Sequence, residues 1–145
     1  KSTLKRIQML KIDDPSSSVS KTPSGISDQE ISFQNCIFQE NAEGNTNEIL
    51  IDNSPDILVH FYSSTFTDCT TSCYIIDVKY TVKEVQVKNC SFTFTGDEHL
   101  AQAIHSKTNN IILQGNEFTK CALHAIQIEF SDVQSVVKLI ENKLI

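Results

Sequence analysis

Three side chains carry the chemistry this sequence offers: Asp52, Asp77 and His105, with Lys79 nearby. Two carboxylates about 5–10 Å apart are the minimum for a glycoside hydrolase. A histidine beside a carboxylate is the usual general acid–base pair. A calcium-assisted lyase would ask for several clustered carboxylates and a strong base. Against these readings stands the rest of the inventory. Arg6 is the only arginine, and the carboxylates are scattered. Arginine is the usual two-pronged grip on phosphates and carboxylates, so a dedicated anion site is not expected.

The five cysteines, Cys36, Cys69, Cys73, Cys90 and Cys121, match no zinc template. Neither a metal nor a cofactor is implied. His60, His99, His105 and His124 share no spacing and read as surface or loop residues. Asn89-Cys90-Ser91 fits the N-glycosylation pattern. The net charge of −6 and pI near 5.1 argue against a nucleic-acid partner. No stretch approaches the roughly 18 apolar residues of a membrane span, so direct membrane insertion by this segment is not expected.

Whether Asp52, Asp77 and His105 can meet depends on the frame that holds them. The frame is a repeat. The segments Ile31–Phe38, Val59–Phe66, Val85–Phe92, Ile111–Phe118 and Val137–Leu144 align at near-equal steps along the chain. The first column is Ile31, Val59, Val85, Ile111 and Val137, all β-branched. The third is Phe33, Phe61, Val87, Leu113 and Leu139; the eighth is Phe38, Phe66, Phe92, Phe118 and Leu144. The sixth, Cys36, Ser64, Cys90, Asn116 and Asn142, is small or polar.

Alternation of period two means a strand with one buried face. Columns one and three share a parity, and columns six and eight share the opposite one. A residue between them must therefore turn the chain. That residue is column five: Asn35, Ser63, Asn89, Gly115 and Glu141. Asn and Gly tolerate the left-handed αL conformation; Glu141 is the exception. Each segment reads as strand, αL corner, strand. A third strand follows at about Ile49–Ile51, Tyr74–Val78, Ala101–Ile104 and Ala125–Ile128.

Three strands per coil of about 26 residues make an all-β, right-handed parallel β-helix of five to six coils, the hand following the rule for parallel connections. The eighth column should then be a stacked core ladder, and the sixth an internal polar one in which Asn116 and Asn142 pair. Cys36 and Cys90, two coils apart at roughly twice the interstrand spacing, lie too far apart for a disulfide. The same reasoning holds for Cys69 and Cys121, whereas Cys69 and Cys73 can reach each other across a turn. On the third strand the outward positions are about Asp52, Asp77, His105 and Gln127, and the simplest reading of that face is a solvated one.

Residues 1–28 read as a partial first coil plus an exposed Ser/Pro-rich loop, with Ile7, Leu10 and Ile12 standing one full coil before Phe33, Cys36 and Phe38. Residues 29–145 read as β-helix repeats. Neither end carries a cap, which a solenoid needs to cover its open strand edges, so the segment is expected to continue in a longer parent protein or to be covered by partners.

The motif Phe38-Gln-Glu-Asn41 is an FxxN, and Phe66-Thr-Asp-Cys69 and Phe118-Thr-Lys-Cys121 are FxxC versions. Each precedes another apolar strand. This resembles the polymorphic outer-membrane protein type of β-helix repeat, found in autotransporter adhesins and large surface proteins, and more widely the pectin-lyase-like β-helices. The family's GGAI motif is absent; Gln102-Ala-Ile104 and His124-Ala-Ile126 are the nearest counterparts. The resemblance implies an extracellular or cell-surface segment with structural or adhesive roles, interacting with other proteins or glycans, and no catalytic residues. Two alternatives stand beside it. One is a carbohydrate-active β-helix enzyme, a polysaccharide lyase or glycoside hydrolase, working through Asp52, Asp77 and His105. The other is a subunit of a filament or larger assembly, joined laterally or end to end through open coils.

Overall fold

The computed structural model describes residues 2–5, 10–12, 29–39, 49–51, 54–69, 74–79, 82–94, 102–107, 110–120, 124–129 and 136–145. They form strands and corners with no helix among the described residues. The strands are β1 (Ser2–Lys5), β2 (Leu10–Ile12), β3 (Gln29–Gln34), β4 (Cys36–Gln39), β5 (Ile49–Ile51), β6 (Ser54–Tyr62), β7 (Thr65–Cys69) and β8 (Tyr74–Val78). Then follow β9 (Val82–Lys88), β10 (Ser91–Phe94), β11 (Gln102–Ser106), β12 (Asn110–Gln114), β13 (Glu117–Thr119), β14 (His124–Ile128), β15 (Val136–Ile140) and β16 (Lys143–Leu144).

Every third strand stacks on the last, in parallel. Sheet A runs β1-β4-β7-β10-β13-β16, sheet B β2-β5-β8-β11-β14 and sheet C β3-β6-β9-β12-β15. This is a parallel β-helix with three strands per rung, consistent with right-handed winding. The expected columns are the observed register. Val59 pairs with Ile31 and Val85, and Ile111 with Val85 and Val137. Phe66 lies opposite Phe38 and Phe92, and Phe118 opposite Phe92.

The eighth column is a continuous aromatic stack. Ring centroids are 4.6 Å apart for Phe38–Phe66, 4.5 Å for Phe66–Phe92 and 4.9 Å for Phe92–Phe118, all near parallel. These spacings match the interstrand distance of about 4.8 Å, so one rotamer repeats from rung to rung. Phe33 and Phe61 stack at 5.0 Å and meet that column edge-on. The four Phe rings of column eight are essentially without solvent contact.

The corner is αL in every rung: φ is 54° at Asn35, 47° at Ser63, 53° at Asn89, 63° at Gly115 and 53° at Glu141. Glu141 thus obeys the geometry of the column despite its residue type. At Gly115 the requirement is double, because a Cβ there would also collide with the Asn89 side-chain oxygen.

An αL corner interrupts the ladder between rungs, and column six repairs it from inside. The Cys90 amide donates to Asn116 Oδ1 at 2.9 Å, and the Asn116 amide to Asn142 Oδ1 at 3.2 Å. In return Asn116 Nδ2 donates to the Val87 carbonyl at 2.8 Å and Asn142 Nδ2 to that of Leu113 at 2.9 Å. Asn116 and Asn142 also pair directly at 2.9 Å. Ser64 plays the same part, accepting from the Cys36 amide and donating to the Phe33 carbonyl. The Cys90 thiol donates to the Phe61 and Lys88 carbonyls. Cys36 and Cys90 are free. Cys73, Cys121 and the Cys69 side chain lie outside the described residues, as does any link between Cys69 and Cys73.

The first coil corrects the expected register. Leu4 pairs with Phe38, while Leu10 and Ile12 pair with Ile49 and Ile51 on sheet B, not with columns six and eight. A uniform coil length fails here because the connecting segments differ in length from rung to rung. Ile7 and the Ser/Pro-rich stretch 13–28 lie outside the described residues. Among the described residues β14, β15 and β16 are the last strands of their sheets, and Leu139 and Leu144 are 55% and 71% exposed.

Substitutions in the two interior columns probe this frame. Phe92→Ala should cost about 3–5 kcal/mol in urea unfolding by opening a void in the stack. Asn116→Leu should cost about 3 kcal/mol, since it strands the Cys90 amide and the Val87 carbonyl in the interior. Gly115→Ala should destabilise as well, whereas Cys90→Ser keeps a donor in column six and should change the midpoint little.

Burial pushes the Cys90 thiol up to about 11. A thiol, not a thiolate, then occupies the site at neutral pH. Mass mapping after iodoacetamide treatment at pH 8 should find Cys90 unmodified in the folded chain and modified after denaturation.

Candidate functional site

The outer face of sheet B holds the only residues of the chemical trio that the structure describes. Asp77 on β8 pairs with His105 on β11, and His105 with Gln127 on β14. Their inward neighbours Ile76, Ile104 and Ile126 fill the core, so strand parity alone puts Asp77, His105 and Gln127 on the opposite face. Below Asp77 the register partner is Leu50. Asp52 lies outside the described residues, so a pairing of Asp52 with Asp77 does too.

This face is not the solvated one the sequence suggested. Asp77 is 1% and His105 4% exposed, and Ile75 and Ala103 beside them are fully buried. The reason is a ring and a set of ion pairs. The Tyr74 ring stacks on the His105 imidazole at 4.3 Å and 19°, which covers one side of it. His105 Nδ1 lies 2.8 Å from Asp77 Oδ1, and its Nε2 lies 3.0 Å from Glu129 Oε1. Lys79 Nζ donates to Asp77 Oδ2 at 2.7 Å, and Lys107 Nζ lies 3.0 Å from Glu129 Oε2. Tyr74 donates through its hydroxyl to Gln127 Oε1 at 3.1 Å. A buried charge persists only when paired and hydrogen-bonded; here each acid of the row has both a lysine and the histidine.

The reading of histidines as surface residues is therefore overturned for His105 and also for His60, which is 6% exposed on β6. His99 and the side chain of His124 lie outside the described residues. Lys107, Glu129 and Tyr74 were not singled out from sequence. For Lys107 and Glu129 the sequence held a signal, the spacing they share with Lys79, and the amides of all three donate to the preceding rung at the same point. They form one column two residues beyond Asp77, His105 and Gln127. Read together, the two columns set Lys79 beside Asp77 and Glu129 beside His105, pairings that neither column shows alone.

A general base must offer a lone pair to substrate. Both ring nitrogens of His105 already face carboxylates, and Asp77 is shared between His105 and Lys79. The row works as a self-neutralised chain: Lys79, Asp77, His105, Glu129, Lys107. No group of three or more His, Cys, Asp or Glu side chains suited to a metal ion is present among the described residues. Asn89, the glycosylation candidate, is exposed at its corner. Compared with known proteins, the chain matches no family model, no curated protein and no solved structure.

Hydrogen bonding from His105, and then from Lys107, holds the Glu129 carboxyl below its ordinary value of 4.5, against a smaller opposing effect of burial. A depressed value in the folded state means that this contribution is present above the unfolded value and is lost as pH falls through the folded one. Glu129→Gln should accordingly flatten the loss of stability below about pH 4.5 seen in urea titrations of the parent chain. His105→Ala, which removes one partner of the buried Asp77 carboxylate, should cost about 3–5 kcal/mol at pH 7.

Proposed function

We propose that this chain is a structural or adhesive segment of a surface or extracellular β-helix protein, meeting other proteins or glycans through its outer faces, and that it is not an enzyme. The observation that carries this reading is the occupancy of the sheet B row. Its one histidine has both nitrogens committed to Asp77 and Glu129, and its acids are matched by lysines. Such a row stiffens a surface and offers no open proton acceptor for catalysis.

Two further features favour a scaffold. The aromatic stack and the column-six ladder repeat between neighbouring rungs, which gives a repetitive outer surface. On sheet A that surface presents hydroxyls in register, with Thr65 beside Ser91 and Thr93 beside Thr119. Rows of fixed donors and acceptors on a rigid sheet suit a repetitive partner. The extracellular placement rests on the resemblance of the FxxN and FxxC motifs to surface β-helix repeats.

The test combines binding, activity and size on the whole chain. Immobilised protein should retain surface glycans or surface proteins, run as a monomer in sedimentation velocity, and cleave no polysaccharide. Glycan cleavage abolished by Asp77→Asn and His105→Ala would replace this reading with the enzyme one. Concentration-dependent growth of long particles would replace it with assembly through the coil ends. A compact monomer that binds nothing on either array would overturn it outright.

A further inference from the structure

The outer face of sheet C holds a second buried histidine in a setting parallel to the first. His60 on β6 lies between a carboxylate one rung before it, Glu30 on β3, and one a rung after it, Glu84 on β9. Its Nδ1 is 2.9 Å from Glu30 Oε1, a hydrogen bond. Its Nε2 is 3.9 Å from Glu84 Oε1, too long for one. That Nε2 is buried and has no hydrogen-bond partner, and the His60 side chain is only 8% exposed. An orphaned buried polar atom calls for a reason.

The surroundings supply one. The titratable and charged groups facing His60 among the described residues are Glu30 on β3, Glu84 and Lys88 on β9, and Tyr62 on its own strand. The Tyr62 ring lies 5.3 Å away, its hydroxyl donates to Gln86 Oε1, and Gln86 Nε2 donates to Glu84 Oε1. Lys88 Nζ lies 5.8 Å from the Tyr62 ring, over its face. Glu30 and Glu84 both help to raise the Tyr62 hydroxyl above its ordinary value, after burial, so their negative field reaches this spot. On sheet B the acids flanking His105 each have a lysine. Among the described residues neither Glu30 nor Glu84 has one. The imidazole is the group placed to compensate both.

We propose that His60 is an acid-operated clamp: protonation at Nε2 draws the Glu84 carboxylate onto the ring and ties the rungs of β3, β6 and β9 together. The closed form is the arrangement His105 already holds, with carboxylates at 2.8 and 3.0 Å on its two nitrogens. Closing requires Glu84, a side chain 27% exposed, to move by about 1 Å to ordinary hydrogen-bond length. Gln86, which donates to Glu84 Oε1 and accepts from the Tyr62 hydroxyl, must adjust with it. The proton comes from solvent and resides on Nε2. Held between the two carboxylates, the protonated ring ties the three rungs together on the acid side and lets them go as pH rises. Histidine is the side chain suited to such a change between about pH 5 and 8.

Hydrogen exchange with residue resolution tests this on the intact chain. Protection factors, corrected for intrinsic exchange, should rise about tenfold for the amides of β3, β6 and β9 between pH 7.5 and 5.5. Those of β11 and β14 around His105 should not follow. Glu84→Gln keeps the size of the side chain and should abolish the rise while leaving the pH 7.5 values unchanged. Nitrogen-15 shifts of the His60 ring give an independent readout, with Nε2 passing from a bare to a protonated nitrogen over the same range. A rise that persists in Glu84→Gln, no rise in the parent chain, or an Nε2 that stays in one state throughout would each overturn the clamp.

Discussion

Everything in this molecule depends on the corner between sheets C and A. A parallel winding has no helix or hairpin to reverse the chain, so each rung must bend at the same point by the same amount. The αL residue makes the bend, with φ between 47° and 63° in all five corners. The bend breaks the run of interstrand hydrogen bonds, and an interior polar side chain restores it. Asn116 both donates to and accepts from the main chain of the rung before it. Without that internal substitute the corner would carry unpaired buried amides, each costing about 1–3 kcal/mol. With it, the stacked phenylalanines can be spaced by the backbone alone.

The repeat that sets this corner was legible because it constrains several columns at once. β-branched residues, aromatic residues, a corner type and a small polar type recur together, and few other folds ask for that combination. Glu141 shows the limit of residue type as a guide, since it adopts the αL corner although its column predicts Asn or Gly; the register of its rung outweighs its own preference. The first coil was misread because Leu10 and Ile12 are apolar in either register, so their character could not separate sheet A from sheet B.

The sheet B row was half legible. Parity placed Asp77, His105 and Gln127 on one face, and the coil stacking made Asp77 and His105 neighbours. Their burial was not readable, because it comes from the Tyr74 ring and from Glu129 and Lys107, which belong to other columns of the same face. Sequence reading treats a charged outward position as wet by default. In a solenoid, where acids and bases of neighbouring columns align two residues apart, the same position can be dry. His60 carries this further: its two carboxylates, Glu30 and Glu84, belong to strands two full turns apart along the chain, and only the winding brings them to one imidazole.

The three joints of each turn are not alike. Between β6 and β7, β9 and β10, β12 and β13, and β15 and β16 the gap is always two residues, while the gap after β4 spans 40–48 and that after β7 only 70–73. Pitch is therefore metered at one joint and insensitive to the others. Sequence change along this chain has one channel in which it can accumulate length and chemistry without disturbing the stack, and one in which a single added residue would throw every later layer out of phase. The molecule thus behaves as a ruler with a blank margin, its graduations fixed along one edge and its other edge open to writing.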